Sequence, residues 1–147
     1  MTTAQELAMA VLDVLQSGDT DRLDHLVSED FVDHGVPPWM PTGRTAYAQT
    51  FTFLHHVLQL RYEVHRVVAE GDYVAIHATA HGVDNSGHLG FPATGKPYAM
   101  PTMHLYREQD GMLVEHWGVR DELQALWQVG ALPTPAPPAA FAELAGR

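Results

Sequence analysis

The 147-residue chain has no cysteine. Disulfides, thiolate metal sites and cysteine nucleophiles are thereby excluded, while the redox compartment is left open. Lysine is almost as scarce: Lys96 is the only one, and it stands in a Gly-Lys-Pro turn. Solvent exposure is expected there, not the desolvation that a Schiff-base amine requires. Eight Lys and Arg face 18 Asp and Glu, for a formal charge of -10 at pH 7 with histidine neutral. That balance disfavours nucleic acid and anionic membranes, both of which need a cationic face. No run is long and apolar enough to span a bilayer. The opening MTTAQELAMAVLDVL lacks a basic segment and reads as a first helix, not a signal peptide. A soluble, cytoplasmic protein is the expectation.

What is present points to one domain. At this length roughly 68–70% of the unfolded surface can be buried, enough for a core with an internal cavity. We expect a single domain over residues 1–133 and a Pro/Ala-rich C-terminal arm over residues 134–147. Residues 4–16 carry Leu7, Val11 and Leu15 at helical spacing, Gly18 ends that helix, and Asp19 or Thr20 caps a second through Leu23, Leu26 and Val27. The Pro- and Gly-bearing loop HGVPPWMPTG follows, then a third helix from Thr42 to about Leu58 on the face of Tyr47, Phe51, Leu54 and Leu58. After it the period changes to two. Strands are expected over Leu60–Ala69, Asp72–Gly82, about 97–107 and about 112–119, the last two joined by an Asp110-Gly111 turn. A short helix then runs from Asp121 towards Gly130. Helices first and an antiparallel sheet second make an α+β domain, with helices on one face of a curved sheet.

Chemistry-bearing residues concentrate in the last third, Gly90 to Gly130, where acid, base and aromatic groups suggest a pocket. The ten histidines do not of themselves make a metal site. His55 and His56 point to different sides of a helix, and His77 and His81 share a strand face at a separation of about 13 Å. No metal is expected.

The order of several short motifs resembles a known family. Ser17-Gly18-Asp19, Leu23, Leu26-Val27-Ser28 and Phe31-Val32-Asp33-His34 resemble the opening of nuclear-transport-factor-2-like domains. GFPATGK, HLYREQDG, EHWGVRD and LWQVG are similar to the SnoaL-like polyketide cyclases, and the resemblance extends to about Pro133. It implies a cone-shaped α+β fold, N-terminal helices packed on a strongly curved antiparallel sheet, around an apolar pocket. It also implies intramolecular aldol ring closure of a polyketide-type small molecule, without cofactor or metal, by an acidic general acid/base at the position of Asp121. A homodimer through the outer sheet face is implied as well. Related domains serve as epoxide hydrolases, isomerases, dehydratases and non-catalytic proteins, so fold alone does not decide function.

On that reading Asp121, buried beside Trp117, has a raised pKa, and His104 on the neighbouring strand donates to substrate or orients Asp121. His116 and Trp117 point to opposite faces, so one at most faces the cavity; Trp117 is the favoured one because it shares a face with Asp121. His34, Trp39, Phe51 and Phe91 are further candidates for substrate contact. Plainer readings stand beside these. Asp121 with Gln124 fits a helix cap, His104 a satisfied core histidine, Phe51 and Leu54 helix-to-sheet packing. His34 could bond loop backbone, and Arg107 and Arg120 are expected to be solvated or paired with Glu108, Asp110 or Glu115. Epoxide hydrolysis would use an Asp-Arg-Asp set, which Asp121, Arg107 or Arg120, and Asp33 match only loosely.

Overall fold

The computed structural model describes residues 2–146. Helix α1, Ala4–Ser17, opens on a capping box in which Thr3 Oγ1 accepts from Glu6 N–H and the Glu6 carboxylate accepts from Thr3 N–H. Gly18 closes it in the left-handed conformation at φ 77°. The helix buries Leu7, Val11, Leu12, Val14 and Leu15 along one stripe. The expected second α-helix is a 3-10 helix, Thr20–His25, with Leu23 as its one buried residue. Its backbone bonds span three residues, Arg22 N–H to the Asp19 carbonyl and Leu26 N–H to the Leu23 carbonyl, the geometry common in short connecting segments.

The chain then enters strand β1, Val27–Asp33, where the sequence pattern suggests no strand between the second helix and the loop. Helix α2, Arg44–His56, buries Ala46, Tyr47 and Phe51 on the expected face. Strands β2 (Arg61–Glu70), β3 (Tyr73–Val83), β4 (Pro97–Gln109) and β5 (Met112–Arg120) follow within a few residues of their expected bounds. Asp121 caps helix α3, Glu122–Gln128. The C-terminal arm carries a short helix α4, Ala139–Ala145, none of whose residues is buried.

The sheet order is β1-β5-β4-β3-β2. β2 to β5 pair as consecutive antiparallel strands, but β1 lies parallel to β5, so the sheet is mixed where the sequence suggested a purely antiparallel one. Register shifts between Val64 and Arg66 in β2 and between Arg107 and Glu108 in β4 interrupt two of the antiparallel ladders. Such irregularities bend strands and increase twist. Helices α1 and α2 cover one face, which carries Val74, Ile76, Ala78 and Ala80 of β3 and Tyr98, Met100, His104 and Tyr106 of β4. The small side chains at 78 and 80 keep the β3 side of this face low. The bulky polar ones of β4 and β5 gather towards β1.

Candidate active site

A cavity lies between the inner sheet face and the helices. Leu12 of α1, Tyr47, Thr50, Phe51 and Leu54 of α2, and Val36 of the loop between β1 and α2 form its helical side. Asp33, Tyr62, His104, Tyr106, His116 and Arg120 form its sheet side. Its volume is only about 30 Å³, close to the share of a single liquid water. The cavity is therefore narrow where a deep one is expected, with mostly apolar side chains on its helical side and polar groups gathered on its sheet side. A larger depression of about 310 Å³ on the opposite sheet face, lined by Arg66, Val68, Ala75, His77 and Met103, is open and has no carboxyl group.

A line of hydrogen bonds runs through the inner cavity. Asp33 Oδ1 lies 2.8 Å from His116 Nδ1, and His116 Nε2 lies 2.9 Å from His104 Nδ1. His104 Nε2, at the end of this line, is buried and has no hydrogen-bond partner. Backbone register assembles the set. Asp33 is paired with His116 across the parallel β1–β5 ladder, and His104 stands opposite Gly118 across β4–β5. Gly118 is needed for the line: a Cβ there would lie 3.0 Å from His116 Cε1 and 3.1 Å from an Arg120 guanidinium nitrogen. The missing side chain is what lets the His116 ring lean towards His104. Gly35 has a similar role, since a Cβ on it would come within 2.9 Å of the Gly118 backbone nitrogen. Its N–H donates to Asp33 Oδ1 at 2.9 Å and its carbonyl accepts from Arg120 Nη1 at 2.9 Å.

The electrostatics follow from burial. Burial alone would raise the Asp33 pKa, but the hydrogen bond and charge of His116, the Gly35 N–H and the Arg120 charge outweigh it and hold the carboxyl below its usual value. Burial, reinforced by His116 and Arg120, pushes His104 down to about 3, so its ring is neutral near pH 7. Arg120 loses solvation, yet Tyr62 and Asp33 more than compensate and its guanidinium stays charged. Burial also raises Tyr47, Tyr62 and Tyr106, which remain protonated phenols; the hydroxyls of Tyr47 and Tyr106 are 2.9 Å apart. The cavity thus holds one carboxylate, one guanidinium, a free imidazole nitrogen and three phenols.

Of the residues singled out from sequence, His104, His116 and Phe51 line this cavity. The others do not. Asp121 is exposed just past the end of β5, where its carboxylate accepts from Gln124 N–H at 3.0 Å. Its expected burial beside Trp117 is corrected by strand phase: His116 and Arg120 take the inner face, and the chain has left the sheet at 121. The favoured choice of Trp117 is reversed for the same reason. Trp117 sits on the outer face, stacked on His34 with ring centroids 4.8 Å apart, while His34 Nε2 bonds Glu115 at 2.9 Å. Trp39 is 78% exposed on its loop and Phe91 is exposed between β3 and β4. Arg107 pairs with Glu115 as expected, but Arg120 points inward. Sequence reasoning missed Tyr47, Tyr62 and Tyr106 as site residues, and it weighed Asp33 and Arg120 only as members of a loosely matching Asp-Arg-Asp set. One signal was available: Tyr106 shares a strand face with His104, as Arg120 does with His116.

Comparison with known proteins agrees with this architecture. Residues 5–129 match the family model described as SnoaL-like polyketide cyclase. The aklanonic acid methyl ester cyclase DnrD of Streptomyces peucetius is 25% identical over 141 residues, covering 93% of this chain and 97% of that protein. DauD of Streptomyces sp. strain C5, a cyclase of the same name, is 24% identical over 141 residues, covering 93% and 87%. The crystal structure of wild-type IdmH from Streptomyces antibioticus superposes with a TM-score of 0.74 at 28% identity, covering 88% of this chain and 99% of that one. Helices on one face of a mixed sheet, with a small cavity between, are thus joined to a family match over most of the chain, and the protein belongs to the SnoaL-like polyketide cyclase family.

Proposed function

We propose that the protein closes a ring in a polyketide-type β-keto ester by intramolecular aldol condensation, with His104 Nε2 as the base. The observation that carries this reading is the unpartnered, buried Nε2 of His104, directed by His116 and Asp33 from behind. A β-keto ester carbon is already acidic, and the neutral His104 imidazole can take its proton when the positive charge is passed to the His116–Asp33 pair behind it. Removal of that proton leaves an enolate, whose oxygen gains negative charge; Arg120 and the Tyr62 hydroxyl beside it are the cavity's donors for that oxygen. The enolate carbon attacks the second carbonyl, and the resulting alkoxide takes a proton. General base catalysis contributes about 10²–10⁴ in rate, and holding the two ends in near-attack geometry about 7–11 kcal/mol.

Binding sites for compounds of this size typically enclose about 300–1,000 Å³. Admission of a fused-ring ester therefore requires the Val36 loop or α2 to move outward. The narrow resting cavity also favours a second reading, a lyase or isomerase reaction on a smaller substrate with the same base. Wild type and Asp121→Asn should be incubated with a panel of tricyclic aromatic β-keto methyl esters, and ring closure followed by chromatography and mass. Asn caps a helix about as well as Asp but carries no proton. Turnover by both proteins is the expected result; loss of turnover in folded Asp121→Asn would return the acid/base role to Asp121. No turnover of any ester by wild type would shift the reading to the smaller substrates.

The homodimer suggested by the resemblance belongs with this proposal. Val68, Met103 and Val119 are 58%, 51% and 72% exposed on the outer sheet face, a covering of apolar side chains suited to a second copy. Equilibrium sedimentation at micromolar concentration should give the dimer mass; a monomer would refute it.

A further inference from the structure

We infer that Asp33, His116 and His104 form a one-proton relay, in which a proton taken up at His104 Nε2 is matched by passage of the His104 Nδ1 proton to His116 Nε2. The positive charge then rests on His116, against Asp33, and the same path returns the proton. The inference deepens the reading of this cavity as a site of acid and base chemistry.

The hydrogen-bond inventory allows few alternatives. An ionised carboxylate only accepts, so His116 Nδ1, 2.8 Å from Asp33 Oδ1, carries a hydrogen. The bond between His116 Nε2 and His104 Nδ1, at 2.9 Å, needs one donor and one acceptor. If His116 is neutral, its Nε2 is the acceptor, His104 Nδ1 is the donor, and His104 Nε2 presents a bare lone pair. If His116 is an imidazolium, its Nε2 is the donor, His104 Nδ1 accepts, and His104 Nε2 carries a hydrogen with no acceptor. Both arrangements fit the same heavy-atom positions. They differ by one proton at His104 Nε2, the atom left without a partner.

A third arrangement, an imidazolium on His104 itself, is disfavoured by its surroundings. His104 is 3% exposed, its carboxylate neighbour is reached only through His116, and the Arg120 charge stands on the same sheet face. The groups facing the two imidazoles are Asp33 from β1, Tyr47 from α2, Tyr62 from β2, Tyr106 from β4 and Arg120 from β5. Helix α1 presents only Leu12. Asp33 is the one anion among them and it touches His116, so the transferred charge has one favourable resting place.

Such a relay suits ring closure, which removes one proton and gives one back. The carbon-bound proton goes to His104 Nε2 and its electron pair forms the new carbon–carbon bond. The π pair of the attacked carbonyl becomes the alkoxide lone pair. That alkoxide takes the proton from His104 Nε2 while His116 Nε2 returns its proton to His104 Nδ1, and the site ends as it began. His104 is the catalytic residue here; His116 and Asp33 act through it.

Nitrogen-15 NMR of the histidine-labelled protein without substrate tests the relay. Between about pH 8 and about pH 4, His104 should change from the Nδ1–H to the Nε2–H neutral tautomer, and His116 should become an imidazolium with the same midpoint. A His104 that keeps one tautomer throughout, or that becomes an imidazolium itself, would overturn the inference. In Asp33→Asn the tautomer exchange should require a lower pH than in wild type, because the imidazolium has lost its carboxylate; an exchange unchanged from wild type would also overturn it. Should that variant not fold, the wild-type spectra decide alone. An intact tautomer exchange in a protein that turns over none of the esters would support the relay while removing the aldol reading.

Discussion

Replacing His104 by glutamine is expected to lower kcat for ring closure by about 10²–10⁴, with a much smaller change in KM. Glutamine is of similar reach, and its amide N–H can still donate to His116 Nε2, so the line back to Asp33 is retained in part. What it lacks is a basic nitrogen at the position of Nε2, the one unpartnered buried side-chain polar atom among the described residues. In the proposed mechanism that nitrogen meets the substrate's carbon-bound proton only as the proton departs, so its loss falls on the transition state and spares the ground state. The remaining rate would come from holding the reacting ends together and from Arg120 beside the developing oxyanion. Steady-state kinetics on an ester turned over by wild type provide the check, with circular dichroism to establish folding. An equal kcat in the folded variant would remove His104 from the chemistry.

The second large effect is on stability in acid. The His104 pKa is lowered from its ordinary 6.5 to about 3 in the folded protein, chiefly by burial, while in the unfolded chain it titrates normally. Because the folded value is the depressed one, the unfolded state binds the extra proton. The contribution is fully present above the unfolded pKa and is lost progressively as pH falls from about 6.5 towards 3, at about 1.4 kcal/mol per pH unit. Asp33, also depressed, adds to the loss only below its ordinary value of 3.8. Urea unfolding at successive pH values should show this slope for wild type and a flatter one for His104→Gln, which has removed the titrating ring. Parallel curves for the two proteins would contradict the assigned environment of His104.

Much of the fold was legible in the sequence because local patterning carries it. The alternation of Val74, Ile76, Ala78 and Ala80 identified β3 and its buried face, and Tyr47, Phe51 and Leu54 identified the inner face of α2, which ends at His56, short of the expected Leu58. The Asp110-Gly111 turn located the β4–β5 hairpin, and Asp110 and Gly111 both take positive φ there. β1 was not legible. Its burial is confined to Val27 and Phe31, separated by the polar run Ser28-Glu29-Asp30, and it is held by a parallel pairing with residues far along the chain. The site was legible in part: His104 and the last two strands were identified, while the acid was placed at Asp121, whose capping role was the simpler reading of the same residues.

Alternation determined that His116 and Trp117 face opposite ways, and that His104 shares its face with Tyr106. It could not determine which of His116 and Trp117 turns inward, because a period of two has two phases and apolar size favours the tryptophan. Tertiary structure decided it. The parallel pairing of Asp33 with His116 and the space left by Gly118 draw the histidine under the helices, where its ring is bonded on both sides, and the outer face gives Trp117 a stacking partner in His34. By itself, then, the sequence determined the class of fold, the absence of thiol chemistry and a strand bearing a candidate histidine, His104. The linking of that histidine through His116 to a carboxylate from the first strand was decided only by the closing of β1 onto β5, since hydrogen bonds between groups so distant in the chain depend on register and cannot be read from local periodicity.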